Sequence, residues 1–175
     1  VASHKFKAAL EQCRAASQVD YTTVTRLKLE ALRLVFDRFQ SHAGDVRKRE
    51  FAAFVEEGGD ALQSSSLFQA LRNHFSRFDP VQDAWERWQQ PFRSPTSAER
   101  IGFRHEHQKE IQFFSWLQWV ADQQLSAANV AAAAAGMKIG LYRDLAVGCD
   151  RTGCETWSQP SAFLEAAQVG AHRIS

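Results

Sequence analysis

A short apolar segment between two glycines, residues 136–148 (GMKIGLYRDLAVG), constrains the fold of this chain more than any other feature. It interrupts a long run of helical sequence, and its apolar residues occupy both faces, as in a buried strand. The charged pair Arg143 and Asp144 lies near its end. Because α/β enzymes place functional side chains at the carboxyl ends of such strands, we predict a strand over residues 137–147 that carries this pair.

Composition and charge exclude several classes of function. The chain has 175 residues, enough for a sizeable core, and a formal net charge of +1 with acids and bases interleaved. Without a basic stripe, nucleic acid is not an expected partner. The uncharged tract over residues 125–137 is too short to cross a bilayer, and the N-terminus lacks the apolar core of a signal peptide. We therefore expect a cytoplasmic protein without a membrane partner.

The cysteine and histidine spacing does not predict a metal or redox site. Cys149 and Cys154 have four residues between them, and Cys13 is far away in sequence. His105 and His107 are two apart, which points them away from each other on a helix. We expect free cysteines, no bound metal and no cofactor.

Apolar residues with a period near 3.6 predict helices along most of the chain. The first half is predicted to contain helices over residues 5–14, 20–39, 47–57 and 60–78. Asp20 and Asp60 are candidate N-caps, and Gly58 and Gly59 end the helix before Asp60. Val24, Leu27, Leu29, Leu32, Val35, Phe36 and Phe39 form the predicted apolar face of the second helix.

The second half begins after a connector rich in tryptophan and proline, residues 80–97. A capping box at Ser97 predicts one long helix that ends at Gly136, which takes the C′ position. The strand follows, and a short helix is predicted over residues 160–169. The predicted fold class is therefore mainly α, with one short strand.

Three motifs in this half follow one another in a characteristic order. The long helix carries a pattern of aromatic and glutamine residues, formed by Phe113, Trp116, Gln118, Trp119 and Gln124. The strand carries residues 143–147, and the following loop ends in Glu155, Thr156 and Trp157. This succession resembles the amylomaltase-type 4-α-glucanotransferases of glycoside hydrolase family 77, whose barrel strand bears a G-D-(M/L)-P-I-like motif and whose loop ends in E-T-W or a similar triplet.

The resemblance implies a particular organisation. Members of that family are several times longer than this chain and contain a (β/α)₈ barrel with the nucleophile aspartate and the acid/base glutamate on later strands. We expect a fragment in which residues 1–97 form a helical insertion subdomain. Residues 98–175 would then be a helix-strand-loop-helix piece of the barrel. No catalytic residue is expected in this chain, which alone should be inactive.

The resemblance also implies substrate-binding residues. Asp144 is expected at the rim of the active-site cleft of the intact enzyme, in contact with maltooligosaccharide or glucan, with Arg143 and Trp157 as further contacts. From the residues alone, pairing with Arg143 or capping of the loop is the commoner role for an acid such as Asp144. For Trp157, packing of the loop onto the barrel is the commoner role.

Two other classes of function stay open. One is a free-standing helical module that binds a partner protein, and the other is a non-catalytic glucan-binding module built on the tryptophans. In a barrel, the predicted long helix and strand would pack against neighbouring barrel elements. An apolar face without such neighbours tends to bind another protein surface, so we expect a homodimer, a domain swap, or a strand remodelled into helix.

Overall fold

The computed structural model describes residues 3–77, 83–93, 97–142, 144 and 148–163. These residues are mainly α-helical, which confirms the helical part of the predicted class, whereas its short strand is not found among them. The chain divides into two compact units, residues 1–50 and residues 51–175, and each is described by itself. In the described part of the chain, no helix combines the length and the apolarity that a membrane span requires.

The first unit contains helices α1 (His4–Ala15) and α2 (Tyr21–His42). Asp20 caps α2 as predicted, because its Oδ1 accepts a hydrogen bond from the Thr23 backbone N–H at 3.0 Å. The hydrogen bonds from Thr23 lower the pKa of the Asp20 carboxyl. On the predicted apolar face Leu27 and Phe36 are buried, whereas Val35 is 52% exposed.

Helix α3 (Asp45–Ser76) is two helical arms joined at Gly59. Gly59 has φ +49° and ψ −142°, a conformation that only glycine adopts readily. The predicted interruption at this glycine is confirmed. The arm after Gly59 supplies much of the core of the second unit, through Leu62, Leu67, Phe68, Leu71 and Phe75.

The kink predicts opposite outcomes for two glycine substitutions. Gly59→Ala should lower the free energy of unfolding by about 1–3 kcal/mol, because an alanine is strained at this φ. Gly102→Ala should raise it by up to about 1 kcal/mol, because Gly102 is helical and an added Cβ meets nothing within 4 Å. Urea denaturation of both variants tests this. Equal effects of the two substitutions would contradict the assigned kink.

The second unit continues with a 3₁₀ turn (Trp85–Arg87), α4 (Gln90–Arg93), α5 (Ala98–Glu106) and α6 (Gln108–Ala134). The predicted single helix after Ser97 is therefore wrong, because the chain leaves helical geometry at His107 (φ −110°, ψ 25°). The His107 ring centroid lies 4.1 Å from that of Phe103 and 5.1 Å from that of His74. Ser97 precedes α5, but its side chain makes no capping hydrogen bond, so the predicted capping box is also wrong.

The first half of α6 packs against α3. Ser115 Oγ lies 2.8 Å from Ser66 Oγ, and both side chains are buried. Nearer the start of α6, Asn73 Nδ2 donates to Glu110 Oε1 at 2.9 Å. These polar contacts fix the register of the two helices around apolar and aromatic core residues.

Helix α6 ends in a Schellman motif at Gly136, as its predicted C′ position requires. The Gly136 N–H donates to the Ala133 carbonyl at 3.0 Å, and the Met137 N–H donates to the Ala132 carbonyl at 3.1 Å. Gly136 has φ +84°, which an L-residue adopts only with strain.

The strand predicted over residues 137–147 is wrong for the part of it that the structure describes. Residues 137–142 and residue 144 are irregular, and Met137, Ile139 and Tyr142 are exposed. Arg143 and residues 145–147 lie outside the described residues. A strand needs a neighbouring strand to pair its backbone groups, and the residues described here offer none.

The described chain ends with α7 (Cys154–Ser158) and a 3₁₀ turn (Pro160–Ala162). Where a helix over residues 160–169 was predicted, the first residues form only this turn. The rest of that predicted helix, from residue 164 onward, lies outside the described residues.

Candidate functional site

One hydrogen bond connects the residues before Asp144 to α6: the Leu141 N–H donates to Asn129 Oδ1 at 3.3 Å. Asp144 is exposed, and Tyr142 is 88% exposed. The predicted pairing of Asp144 with Arg143 stays a prediction, since Arg143 lies outside the described residues.

A tight turn over residues 150–153 precedes α7. Asp150 Oδ1 accepts hydrogen bonds from the Thr152 N–H at 2.9 Å and from Thr152 Oγ at 3.0 Å. The Gly153 N–H donates to the Asp150 carbonyl at 2.9 Å. A Cβ at Gly153 would lie 2.9 Å from that carbonyl oxygen, so the turn requires a glycine here.

Directly after the turn, Trp157 of α7 is fully buried. Its Nε1–H donates to the Phe92 carbonyl at 2.8 Å. Its ring centroid lies 5.4 Å from that of Phe68 and 6.3 Å from that of Trp88. The ring therefore has apolar neighbours, and its one polar group has a hydrogen-bond acceptor, as is usual for a buried tryptophan.

Arg100 of α5 covers the Trp157 ring, with its Cζ 4.2 Å from the ring centroid. Arg100 is only 4% exposed, and this burial lowers the pKa of its guanidinium to about 10. It therefore stays charged at neutral pH. A desolvated cation above an indole contributes about 2 kcal/mol of attraction, which offsets part of the cost of burying the charge.

Aromatic side chains from four helices and the connector meet at this point and form what we call the aromatic cluster: Phe68, Phe75, Trp88, Phe92, Phe103 and Trp157. Phe75 stacks on Trp88 with centroids 5.3 Å apart, and Phe92 meets Phe75 edge-on at 5.4 Å. The aromatic cluster therefore joins α7 to α3, α5 and the 85–93 segment.

Polar contacts at the edge of the aromatic cluster add further connections between these segments. Thr156 Oγ1 accepts from Trp85 Nε1 at 3.3 Å and donates to the Arg151 carbonyl at 2.8 Å. Arg72 of α3 donates through Nε to Asp83 Oδ1 at 2.7 Å, and through Nη2 to the other carboxylate oxygen. The hydrogen bonds from Arg72 lower the pKa of the Asp83 carboxyl, so this pair is ionised at neutral pH.

The chemistry available within these residues is binding and positioning. Burial raises the pKa of the Cys154 thiol to about 11, so this cysteine is protonated and a weak nucleophile at neutral pH. Among the residues the structure describes, no three His, Cys, Asp or Glu side chains gather into a metal site.

The structure separates the predicted site residues. Asp144 lies at the surface, whereas Trp157 lies in the core, where packing is the role its surroundings give it. Substrate contact by Trp157 stays a prediction for an intact enzyme. Sequence reasoning missed Arg100, because an arginine on a helix is normally exposed and its position over Trp157 depends on packing between distant segments.

The aromatic cluster predicts a large loss of stability when Trp157 is truncated. Trp157→Ala should lower the free energy of unfolding by about 3–5 kcal/mol, and Trp157→Phe by less, because the phenyl ring keeps most of the apolar contacts. Tyr142→Ala is the control, since an 88% exposed ring should change stability by at most about 0.5 kcal/mol. Chemical denaturation measures all three. An effect of Trp157→Ala as small as that of Tyr142→Ala would refute the buried position of Trp157.

His74 predicts a loss of stability in mild acid. Burial, then the neighbouring His107 and Arg77, lower the pKa of His74 below its ordinary value. The unfolded chain therefore binds the proton more readily, and stability falls as the pH drops below about 6.5. His74→Gln should flatten this dependence between about pH 7 and pH 5. A pH profile of stability that is unchanged in His74→Gln would contradict this assignment.

Comparison with known proteins identifies the class. The sequence profile described as 4-alpha-glucanotransferase matches residues 1–172. The chain therefore belongs to the 4-alpha-glucanotransferase family, which confirms the resemblance seen in its motifs.

Three relatives show the extent of the likeness. The chain is 33% identical over 173 residues to a 4-alpha-glucanotransferase of Haemophilus influenzae, covering 94% of this chain and 24% of the relative. It is 32% identical over 153 residues to the enzyme of Mycobacterium tuberculosis, covering 87% of this chain and 20% of the relative. It is 27% identical over 146 residues to a 4-alpha-glucanotransferase of Thermus thermophilus, covering 83% of this chain and 28% of the relative. The chain thus spans only a fifth to just over a quarter of these relatives.

Proposed function

We propose that this chain is part of a 4-α-glucanotransferase that transfers α-1,4-glucan segments between maltooligosaccharides with retention of configuration. The observation that carries the proposal is the family match over residues 1–172. Retaining transfer needs two carboxyl groups about 5–5.5 Å apart, one as nucleophile and one as acid/base. We propose that both lie in the part of the enzyme outside this region, so that the 175 residues alone are inactive.

In the intact enzyme, the role proposed for this region is to support the substrate cleft. Asp144 supplies a carboxylate that accepts hydrogen bonds from sugar hydroxyls, with Arg143 as a second contact. The exposure of Asp144 supports this role, because it leaves the carboxylate accessible to a ligand. For Trp157 the buried ring supports the packing role, in which it holds α7 in place, and its contact with substrate stays a prediction from the family resemblance.

The proposed organisation keeps residues 1–97 as a helical insertion and residues 98–175 as a piece of the barrel. The rival glucan-binding module is disfavoured by burial of the tryptophans. Trp88, Trp116, Trp119 and Trp157 are each at most 4% exposed, so none of the four offers an open face on which a sugar could stack.

Incubation of the chain with maltotriose tests the proposal. We expect neither glucose nor longer oligosaccharides, since the reactive carboxylates are assigned elsewhere. The H. influenzae relative serves as the positive control under the same conditions. Disproportionation by the 175 residues alone would contradict the proposed division of the enzyme.

Calorimetric titration with maltoheptaose separates the rival class. A cleft that is only partly present should bind feebly, with a Kd of about 1 mM or weaker. Asp144→Ala should weaken any measurable binding, whereas Asp37→Ala, on the exposed surface of α2, should leave it unchanged. Micromolar binding that survives Asp144→Ala would favour a dedicated glucan-binding module instead.

A further inference from the structure

Two histidines from different elements meet at the junction between α5 and α6. His74 lies on α3, in the arm after Gly59, and His107 is the residue at which α5 ends and α6 begins. Their ring centroids are 5.1 Å apart, and both residues are partly exposed to solvent. The junction therefore holds, in direct ring contact, two groups that can gain a proton in mild acid.

Phe103 of α5 lies against both imidazoles. Its ring centroid is 4.1 Å from that of His107, with the planes tilted by 30°, and 5.4 Å from that of His74, where the rings meet edge-on. Phe103 is buried, at 7% exposure, so these ring contacts are among those that hold α5 against α3. The neutral imidazoles thus complete the surroundings of an apolar side chain.

The charges next to the pair disfavour two added protons. Burial first, and then His107 and Arg77, lower the pKa of His74. On α6, Glu110 Oε1 accepts a hydrogen bond at 2.9 Å from Asn73, the neighbour of His74 along α3. Two imidazolium rings at this separation, beside an arginine and partly removed from water, would repel each other.

Three arginines of the elements packed around the pair are directed to other partners. Arg100 lies over an indole of the aromatic cluster, Arg104 Nη1 donates to Gln63 Oε1 at 3.5 Å, and Arg93 Nε donates to the Trp88 carbonyl at 2.6 Å. The remaining titratable side chains of α5, and the lysine of the first turn of α6, are exposed: Glu99, His105, Glu106 and Lys109. Arginine stays charged throughout, so the charge at this junction changes in mild acid through its imidazoles.

Helix α5 is the element that this repulsion can displace. It has 9 residues, fewer than an isolated helix needs to be stable in water. Its position therefore depends on its two buried side chains, Arg100 and Phe103. The His107 N–H donates to the Phe103 carbonyl at 2.9 Å, so a displacement of His107 away from His74 also withdraws Phe103.

We propose that His74 and His107 form an acid-sensitive latch, which holds α5 against α3 while both rings are neutral and releases α5 when both are protonated. Release exposes Phe103 and withdraws Arg100 from the Trp157 ring, while α3 and α6 stay packed together. The latch lies wholly within this chain, and it does not depend on the proposed glucanotransferase function.

Amide hydrogen exchange at about pH 7.5 and about pH 5.5 tests the latch, with each rate divided by the intrinsic rate at that pH. In the wild-type chain, protection of the hydrogen-bonded α5 amides should fall about tenfold in acid, whereas protection of residues 113–119 in α6 should change by less than about threefold. Equal losses in α5 and α6 would indicate global destabilisation and would overturn the proposal. Protection of α5 that does not depend on pH would overturn it as well.

Substitutions separate the pair from either histidine alone. His74→Gln should make the protection of α5 independent of pH to within about twofold, and His107→Gln should reduce the acid loss to about threefold, because the burial of His74 remains. His105→Gln is the matched control: His105 is exposed on the same helix, so this variant should lose protection as the wild type does. Circular dichroism checks that each variant keeps its helix content. An acid response that His105→Gln removes as fully as His74→Gln would contradict the assignment.

Salt provides a test in the unaltered chain. Raising NaCl to about 1 M shortens the Debye length to about 3 Å, so it should at least halve the loss of α5 protection in acid. An acid loss that neither salt nor His107→Gln reduces would assign the effect to the burial of His74 alone, and the paired latch would be wrong.

Discussion

The second unit depends on the burial of one ring, that of Trp157. Its indole contacts the rings of Phe68 and Trp88, donates its only N–H to the Phe92 carbonyl, and has the Arg100 guanidinium over its face. These partners come from segments that are distant along the chain, so the ring joins elements that local sequence preferences would leave apart. The short helix α7 is too brief to be stable alone. Its position therefore follows from this tertiary packing.

Features that depend on local chemistry were predictable from the sequence. The Asp20 cap, the kink at Gly59 and the Schellman end at Gly136 each follow from one residue type at one backbone position. The break at His107 was not predictable, because its aromatic neighbours include His74, from another helix. The prediction of a strand was wrong for a related reason, because apolar periodicity cannot show whether a second strand is present to pair with it.

For the candidate site too, some features could be predicted from the sequence and others could not. The motif match indicated the family correctly, and the comparisons support it over nearly the whole chain. Motifs cannot show burial, however, so exposed Asp144 could not be distinguished from buried Trp157 before the structure was known. The two also differ in how they are held. Asp144 is exposed and follows residues that one hydrogen bond, from the Leu141 N–H to Asn129 Oδ1, connects to α6, whereas Trp157 is held by core packing and by its hydrogen bond to the Phe92 carbonyl.

Hydrogen exchange at the tryptophan indoles tests the central claim most directly. The five Nε1–H signals of a ¹⁵N-labelled chain can be assigned by single Trp→Phe substitutions and followed after transfer to deuterated water. If Trp157 is buried and donates to the Phe92 carbonyl, its indole proton should exchange orders of magnitude more slowly than that of free tryptophan. Exchange of the Trp157 proton at the rate of free tryptophan, in a chain that keeps its helix content, would contradict the account.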